Sequence, residues 1–167
     1  MLTVITGCMY SGKTTRLIEQ YKNSINNDQK VLMINSVCDT RCNDEVKTHD
    51  ASMVVATKLK HLNDFDRYNE YDIICIDEAQ FFSDLTVVVR YLIDKLKKSV
   101  YVSGLNADYQ QNIFGQIHEL LCFSDMVVWC SAKCSVCGRA AHFSKRLIDN
   151  SNQCVVGASD AYTSVCR

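Results

Sequence analysis

A chain of 167 residues, 47% of them hydrophobic, can bury a real core and suits one domain, or one domain with a small appendage. Its formal net charge of -1 argues against non-specific nucleic-acid binding, which depends on clustered positive charge, and no apolar run approaches the ~20 residues that span a bilayer. The first residues hold no basic segment followed by an apolar stretch, so no secretory signal is expected. The ten cysteines are then expected in a reducing, cytoplasmic setting, as thiols or metal ligands rather than disulfides.

In chain order, Leu2 to Thr6 is short, apolar and β-branched, which predicts a buried strand. A helix is expected from Thr14 to about Asn23, with Leu17, Ile18 and Tyr21 at core spacing. KVLMIN (30–35) reads as a second strand. YDIICIDEAQFF (71–82) gives a third, apolar until Asp77. Ser83 or Asp84 is placed to cap a helix running to about Lys98, whose basic last turn suits the helix dipole. SVYVSG (99–104) and DMVVWC (125–130) are two further strands, with a helix near Ile113 to Phe123 between them. Strands alternating with helices predict a doubly wound parallel α/β sheet, with functional groups at the carboxyl ends of its strands. At about Ser131 the composition shifts to paired cysteines, small residues and short strand-like pieces (AAHFS, QCVVG). Residues 1–130 are therefore expected to form one α/β domain and residues 131–167 a small second one.

The run GCMYSGKT from Gly7 to Thr14 fits G-x-x-x-x-G-K-[ST], after a strand and before a helix. Its glycines permit a tight loop whose N–H groups converge on an anion, and the helix N-terminus adds partial positive charge. Lys13 can reach outer phosphates and the Thr14 hydroxyl can coordinate Mg²⁺. Asp77 follows four apolar residues and should emerge at the carboxyl edge beside that loop, where it can hold Mg²⁺ through water. Glu78 points elsewhere and suits a base. A base beside an ATP site activates either water or a substrate hydroxyl, and these motifs do not choose between an ATPase and a kinase.

Cys134 and Cys137 (CSVC), with Cys166, have zinc-ligand spacing, but a closed structural site takes four ligands. A partner completing a second C-x-x-[CH] with Cys166 would fall at position 169, past Arg167; otherwise Cys130, His142 or Cys154 substitutes, or no metal binds. A metal tie between Cys137 and Cys166 would close a loop of 28 residues (138–165), a natural lid over a pocket.

Taken together, GCMYSGKT, DTR at 39–41, THD at 48–50, DEAQFF at 77–82, GLNADYQ at 104–110, CSVC, FSKR at 143–146 and GASDAYTSVCR at 157–167 resemble the type II thymidine kinases over nearly the whole chain. The resemblance implies a P-loop, RecA-like sheet with a small zinc-ribbon-like C-terminal domain carrying a substrate lid. It implies transfer of the ATP γ-phosphate to the 5′-hydroxyl of thymidine. By resemblance, Glu78 is the base. Gly7, Cys8, Met9, Tyr10, Ser11, Gly12, Lys13, Thr14, Asp39, Thr40, Arg41 and the segment Asp77, Glu78, Ala79, Gln80 serve ATP and Mg²⁺. Met9, Phe81, Leu105, Tyr109 and Phe114 wall the base, and Ser144 stands where the family has a threonine near the thymine methyl. Gln153, Cys154, Val155, Val156, Gly157 and Tyr162 belong to a lid that grips thymine through its main chain, because peptide groups match a pyrimidine's donors and acceptors in fixed geometry. Structural Zn²⁺ on Cys134, Cys137 and Cys166, a homotetramer and dTTP as feedback inhibitor are further implications; nucleic acid and membrane are not expected partners.

This chain departs from the family pattern at Cys8 (usually proline), Asn106 and Ala107 (Asp-Gly in many members), Tyr109 (frequently phenylalanine) and Ala158 (a second glycine). Two other readings compete. A nucleic-acid-stimulated P-loop motor normally needs a second such domain, for which this length leaves no room. A non-enzymatic zinc-ribbon module leaves Gly7 to Thr14 and Glu78 without a purpose.

Overall fold

Strand-forming runs and amphipathic helices alternate through the first 130 residues of the computed structural model, which describes residues 1–39, 45–47, 53–155 and 160–167. Thr40, Arg41, Val156, Gly157, Ala158 and the THD segment lie outside the described residues. The elements are β1 (Leu2–Gly7), α1 (Lys13–Asn26), β2 (Val31–Ser36), β3 (Glu45–Lys47), β4 (Met53–Val55), β5 (Thr57–Leu59), β6 (Ile73–Ile76), α2 (Leu85–Arg90, continued as a π-helical turn over Tyr91–Lys95), β7 (Ser99–Leu105), α3 (Ile117–Leu121) and β8 (Met126–Cys130). β9 (Ala132–Lys133), β10 (Ala140–Ala141), β11 (Phe143–Arg146) and β12 (Tyr162–Val165) follow.

Six strands form one sheet in the order β5-β2-β6-β7-β1-β8, with every pairing parallel. This is the doubly wound α/β architecture predicted from strand–helix alternation. Side chains alternate between its faces. Ile5, Met33, Ile73 and Cys75 pack with Leu17 and Ile18 of α1. Leu2, Val4, Ile34, Ile74, Ile76, Val100 and Val102 pack with Leu85, Val88 and Leu92 of α2 and Ile117 and Leu120 of α3. Because all six strands run the same way, Gly7, Asp77 and Leu105 are delivered to one edge of the sheet. The remaining strands pair antiparallel in two-stranded units: β3 with β4, β9 with β10, β11 with β12. Among the described residues no helix is long and apolar enough to cross a membrane.

Three local expectations change. The helix expected near Ile113 to Phe123 is confined to α3, because Gly115 takes a left-handed φ of +64° and an added Cβ there would lie 2.2 Å from the Gln80 carbonyl oxygen. Asp84 does not cap α2: its carboxylate accepts the N–H groups of Leu62 (3.2 Å) and Asn63 (2.9 Å). The first turn of α2 is instead served by Gln116, whose Oε1 accepts the Thr86 N–H at 2.9 Å. AAHFS divides between β10 and β11, and the described part of QCVVG, 153–155, is not strand.

Candidate active site

The turn from β1 into α1 is shaped by backbone that only certain residues tolerate. An added Cβ at Gly7 would lie 2.3 Å from the Cys130 carbonyl oxygen, and Gly12, at φ +79°, opens α1. Between them Tyr10 also takes a positive φ of 62°. Ser11 Oγ donates to the Cys8 carbonyl at 2.7 Å, and Lys13 Nζ donates to the same oxygen at 2.7 Å. The ammonium thus lies across the loop mouth. Its pKa is lowered by burial, with Glu78 and then Asp77 opposing the drop. Met9 and Tyr10 point to the C-terminal segment: the Met9 N–H donates to Ser144 Oγ at 3.0 Å and the Tyr10 hydroxyl to the Tyr162 carbonyl at 3.3 Å. Cys8, where the family usually has proline, is fully buried and donates its thiol to the Ala141 carbonyl at 3.4 Å; burial pushes the thiol's pKa up.

Asp77 leaves the end of β6 with its carboxylate beside the loop. The Thr14 hydroxyl donates to its two oxygens, at 3.1 and 3.3 Å. The carboxyl is buried and its pKa is pushed up to about 6, by desolvation first and then by Glu78, with Ser103 and Thr14 opposing. An acid with that environment is ready for a cation between itself and the Thr14 hydroxyl, which are hard oxygen donors of the kind Mg²⁺ prefers. Asp39 sits just past β2 on the same sheet edge, buried, with one carboxylate oxygen accepting from Asn35 Nδ2 (3.1 Å) and its carbonyl from Lys58 Nζ (2.8 Å).

Glu78 adopts a left-handed φ of 49°, which turns its side chain away from Asp77's direction and starts the short 3₁₀ segment Ala79–Phe81. The buried Gln80 amide donates from Nε2 to Glu78 Oε2 and accepts, through Oε1, the Leu105 N–H at 3.1 Å. Gln80 therefore faces the carboxylate and the end of β7 rather than the loop, while Ala79 is buried core. A carboxylate held by a fixed amide is the arrangement of a base oriented by a third group.

The rings of Phe81 and Phe114 meet edge to face, centroids 5.6 Å apart, and Leu105 and Met9 are half-buried. Tyr109 is engaged differently from a simple pocket wall: the Arg146 guanidinium lies 3.7 Å from its ring centroid, and its hydroxyl donates to the Ser151 carbonyl at 3.5 Å. The segment expected to form a lid is flanked by the β11–β12 pair, where Ser144 faces Ser164 and Arg146 faces Tyr162. Gln153 Nε2 donates to Asp108 Oδ2 (2.9 Å) and to the Ile113 carbonyl (3.0 Å), and the Tyr162 hydroxyl donates to the Val155 carbonyl at 3.0 Å. Burial pushes the Cys154 thiol up, with Cys38 adding to the rise, Arg146 opposing it, and Glu78 adding to it.

Asp108 and Arg146 carry much of this geometry and drew no role from the sequence. Burial pushes the Asp108 carboxyl up, but hydrogen bonds from Gln153 and from the Asn112 and Gln110 N–H groups outweigh it and hold its pKa below the ordinary value. An aspartate inside GLNADYQ followed by turn residues was the available signal. Arg146 gave none.

The sulfurs of Cys134, Cys137 and Cys166 lie within 4.8 Å of one another, and Cys137 and Cys166 are 3.6 Å apart. Among the described residues Cys130, His142 and Cys154 do not join the group. The backbone N–H groups of Cys166, Cys137 and Val136 bring Cys134 down to about 6, which favours the thiolate that metal ligation needs. Three soft donors in this turn fit zinc.

A family model described as thymidine kinase matches residues 1–167. A protein named thymidine kinase a from Arabidopsis thaliana is 38% identical over 98% of this chain and 72% of its own length. The thymidine kinase of fowlpox virus (strain NVSL) is 35% identical, covering 98% of this chain and 93% of its own. That of Thermococcus kodakarensis is 36% identical, over 99% and 91% respectively.

Proposed function

The chain belongs to the thymidine kinase family, and from that premise we propose that it transfers the γ-phosphate of ATP to the 5′-hydroxyl of thymidine, giving dTMP and ADP. One juxtaposition supports the reading most. The Thr14 hydroxyl is 3.1 Å from Asp77, at the mouth of an anion-binding loop, and the adjoining Glu78 is held by Gln80, whose other end is fixed on the Leu105 N–H at the tip of β7. The loop N–H groups from Gly7 to Thr14 cradle the phosphates. Lys13 swings from the Cys8 carbonyl to the outer phosphates. Thr14 and Asp77 would hold Mg²⁺, which when bound neutralises charge on the β- and γ-phosphates.

Glu78 Oε takes the proton of the 5′-hydroxyl as that oxygen bonds to the γ-phosphorus. The bond from phosphorus to the β–γ bridging oxygen breaks, and the electron pair leaves on ADP. Phe81, Phe114, Leu105 and Met9 receive the base, with Ser144 near its methyl, and the lid segment Gln153 to Gly157 with Tyr162 excludes water. That exclusion is what turns an ATP site toward a nucleoside hydroxyl and away from hydrolysis. Asp39, with Thr40 and Arg41, completes the nucleotide side.

The proposal extends to structural zinc on the three cysteines, to residues 1–130 and 131–167 as nucleotide and lid domains, and to cytoplasmic location, homotetrameric assembly and inhibition by dTTP. The last three rest on the family resemblance. A coupled assay with ATP, Mg²⁺ and a nucleoside panel tests the activity. ADP formation that depends on thymidine is expected. Turnover indifferent to every nucleoside but raised by DNA would replace the kinase with a motor.

A further inference from the structure

Arg146 ends β11 at the root of the lid, and its guanidinium is buried. Nη1 donates to the carbonyls of Asn150, at 2.7 Å, and Asn152; Nη2 donates to the Gln153 carbonyl, at 3.0 Å, and to the Tyr162 hydroxyl. The plane lies 3.7 Å from the Tyr109 ring centroid and 5.1 Å from that of Tyr162. Among the described residues its polar partners are carbonyls and a phenol, with no carboxylate, and Nε has no partner. One side chain thus collects three main-chain carbonyls from a segment whose own side chains are exposed, and clamps that segment against an aromatic ring on the loop that follows β7.

We propose that Arg146 is a positioning residue for nucleoside binding: it holds the main chain of residues 150–153 in its closed course over the Tyr109 loop, and so sets the geometry the lid offers to the nucleoside. The proposal rests on the kinase reading above. Lysine cannot substitute, because a single ammonium neither forks to three carbonyls nor stacks flat on Tyr109. Tyr109, with its hydroxyl on Ser151, adds a second tie that phenylalanine lacks.

The test compares full-length wild type with Arg146→Met and Arg146→Lys. Both variants are expected to raise the KM for thymidine at least roughly tenfold, the equivalent of losing about one charge-assisted hydrogen bond, while the KM for ATP changes less than about twofold. Amide hydrogen exchange should quicken at 150–155 and stay unchanged in α1 and β1. Arg146→Lys, which keeps the charge and most of the stem, carries the comparison if Arg146→Met does not fold. A folded variant with unchanged thymidine KM, or with both KM values shifted equally, overturns the proposal. Wild type that phosphorylates no nucleoside overturns the kinase reading instead, and exchange at 150–155 then judges Arg146 alone: unchanged protection in the variants would reject its role.

Discussion

Replacing Gly115 with alanine tests how the segment from Glu78 to Phe81 is packed. Gly115 has φ +64°, where an L residue pays roughly 1–2 kcal/mol. Its added Cβ would also fall 2.2 Å from the Gln80 carbonyl oxygen and 2.8 Å from the carbonyl carbon and Cα, all backbone atoms that cannot rotate aside. Overpacking of this kind adds about 1–3 kcal/mol, so the total is about 2–5 kcal/mol. For a chain of this length that lowers Tm by roughly 4–20 °C. Gly12→Ala is the matched control: φ is +79° but nothing lies within 4 Å of the added Cβ, so only the dihedral penalty of roughly 1–2 kcal/mol applies. Circular dichroism melts of both, without ligands, measure the difference. Because the displaced backbone belongs to Gln80, kcat in Gly115→Ala should also fall at temperatures where the protein is still folded. A Gly115→Ala variant as stable as Gly12→Ala would refute the packing argument.

Three other outcomes follow from the site. Glu78→Gln should retain ATP binding, read by calorimetry, while the phosphorylation rate drops by roughly 10²-fold or more; an undiminished rate removes Glu78 as base. The Asp77 carboxyl, raised from 3.8 to about 6 in the folded state, contributes stability that is full below about pH 4 and is lost as pH rises through about 6. That loss is on the order of 3 kcal/mol, and Asp77→Asn should abolish that part of the slope in urea titrations of ligand-free protein; parallel pH profiles would contradict it. Purified protein should carry about one zinc per chain, and its removal by chelator should loosen residues 131–167 before the six-stranded sheet, with metal-free, fully active protein as the contrary result.

The parts legible in the sequence are those whose cause is local. A glycine loop between a β-branched strand and an amphipathic helix declares itself, and an acid closing an apolar run predicts Asp77 at a strand tip; Thr14 and Asp77 then meet because parallel strands share an edge. What escaped depends on distant partners. Gly115 shortens α3 because of Gln80, 35 positions earlier (115 minus 80). Gln116 serves the start of α2 while Asp84, the expected cap, is drawn off by Leu62 and Asn63. β3, β4 and β5 are three-residue strands, too short for periodicity to register. Arg146 closes the FSKR motif, but its role escaped for a different reason: most of its partners are main-chain carbonyls, which every residue carries.

Three threads sew the phosphate loop to the roof's foundations: Cys8 to Ala141, Met9 to Ser144 and Tyr10 to Tyr162. A triphosphate that pulled on this loop would pull through these bonds on both strands of the β11–β12 pair. With the nucleoside seated as proposed, the two substrates would share one mechanical frame, and whatever factor the first gained by tightening it, the second would gain equally when the order of arrival is reversed.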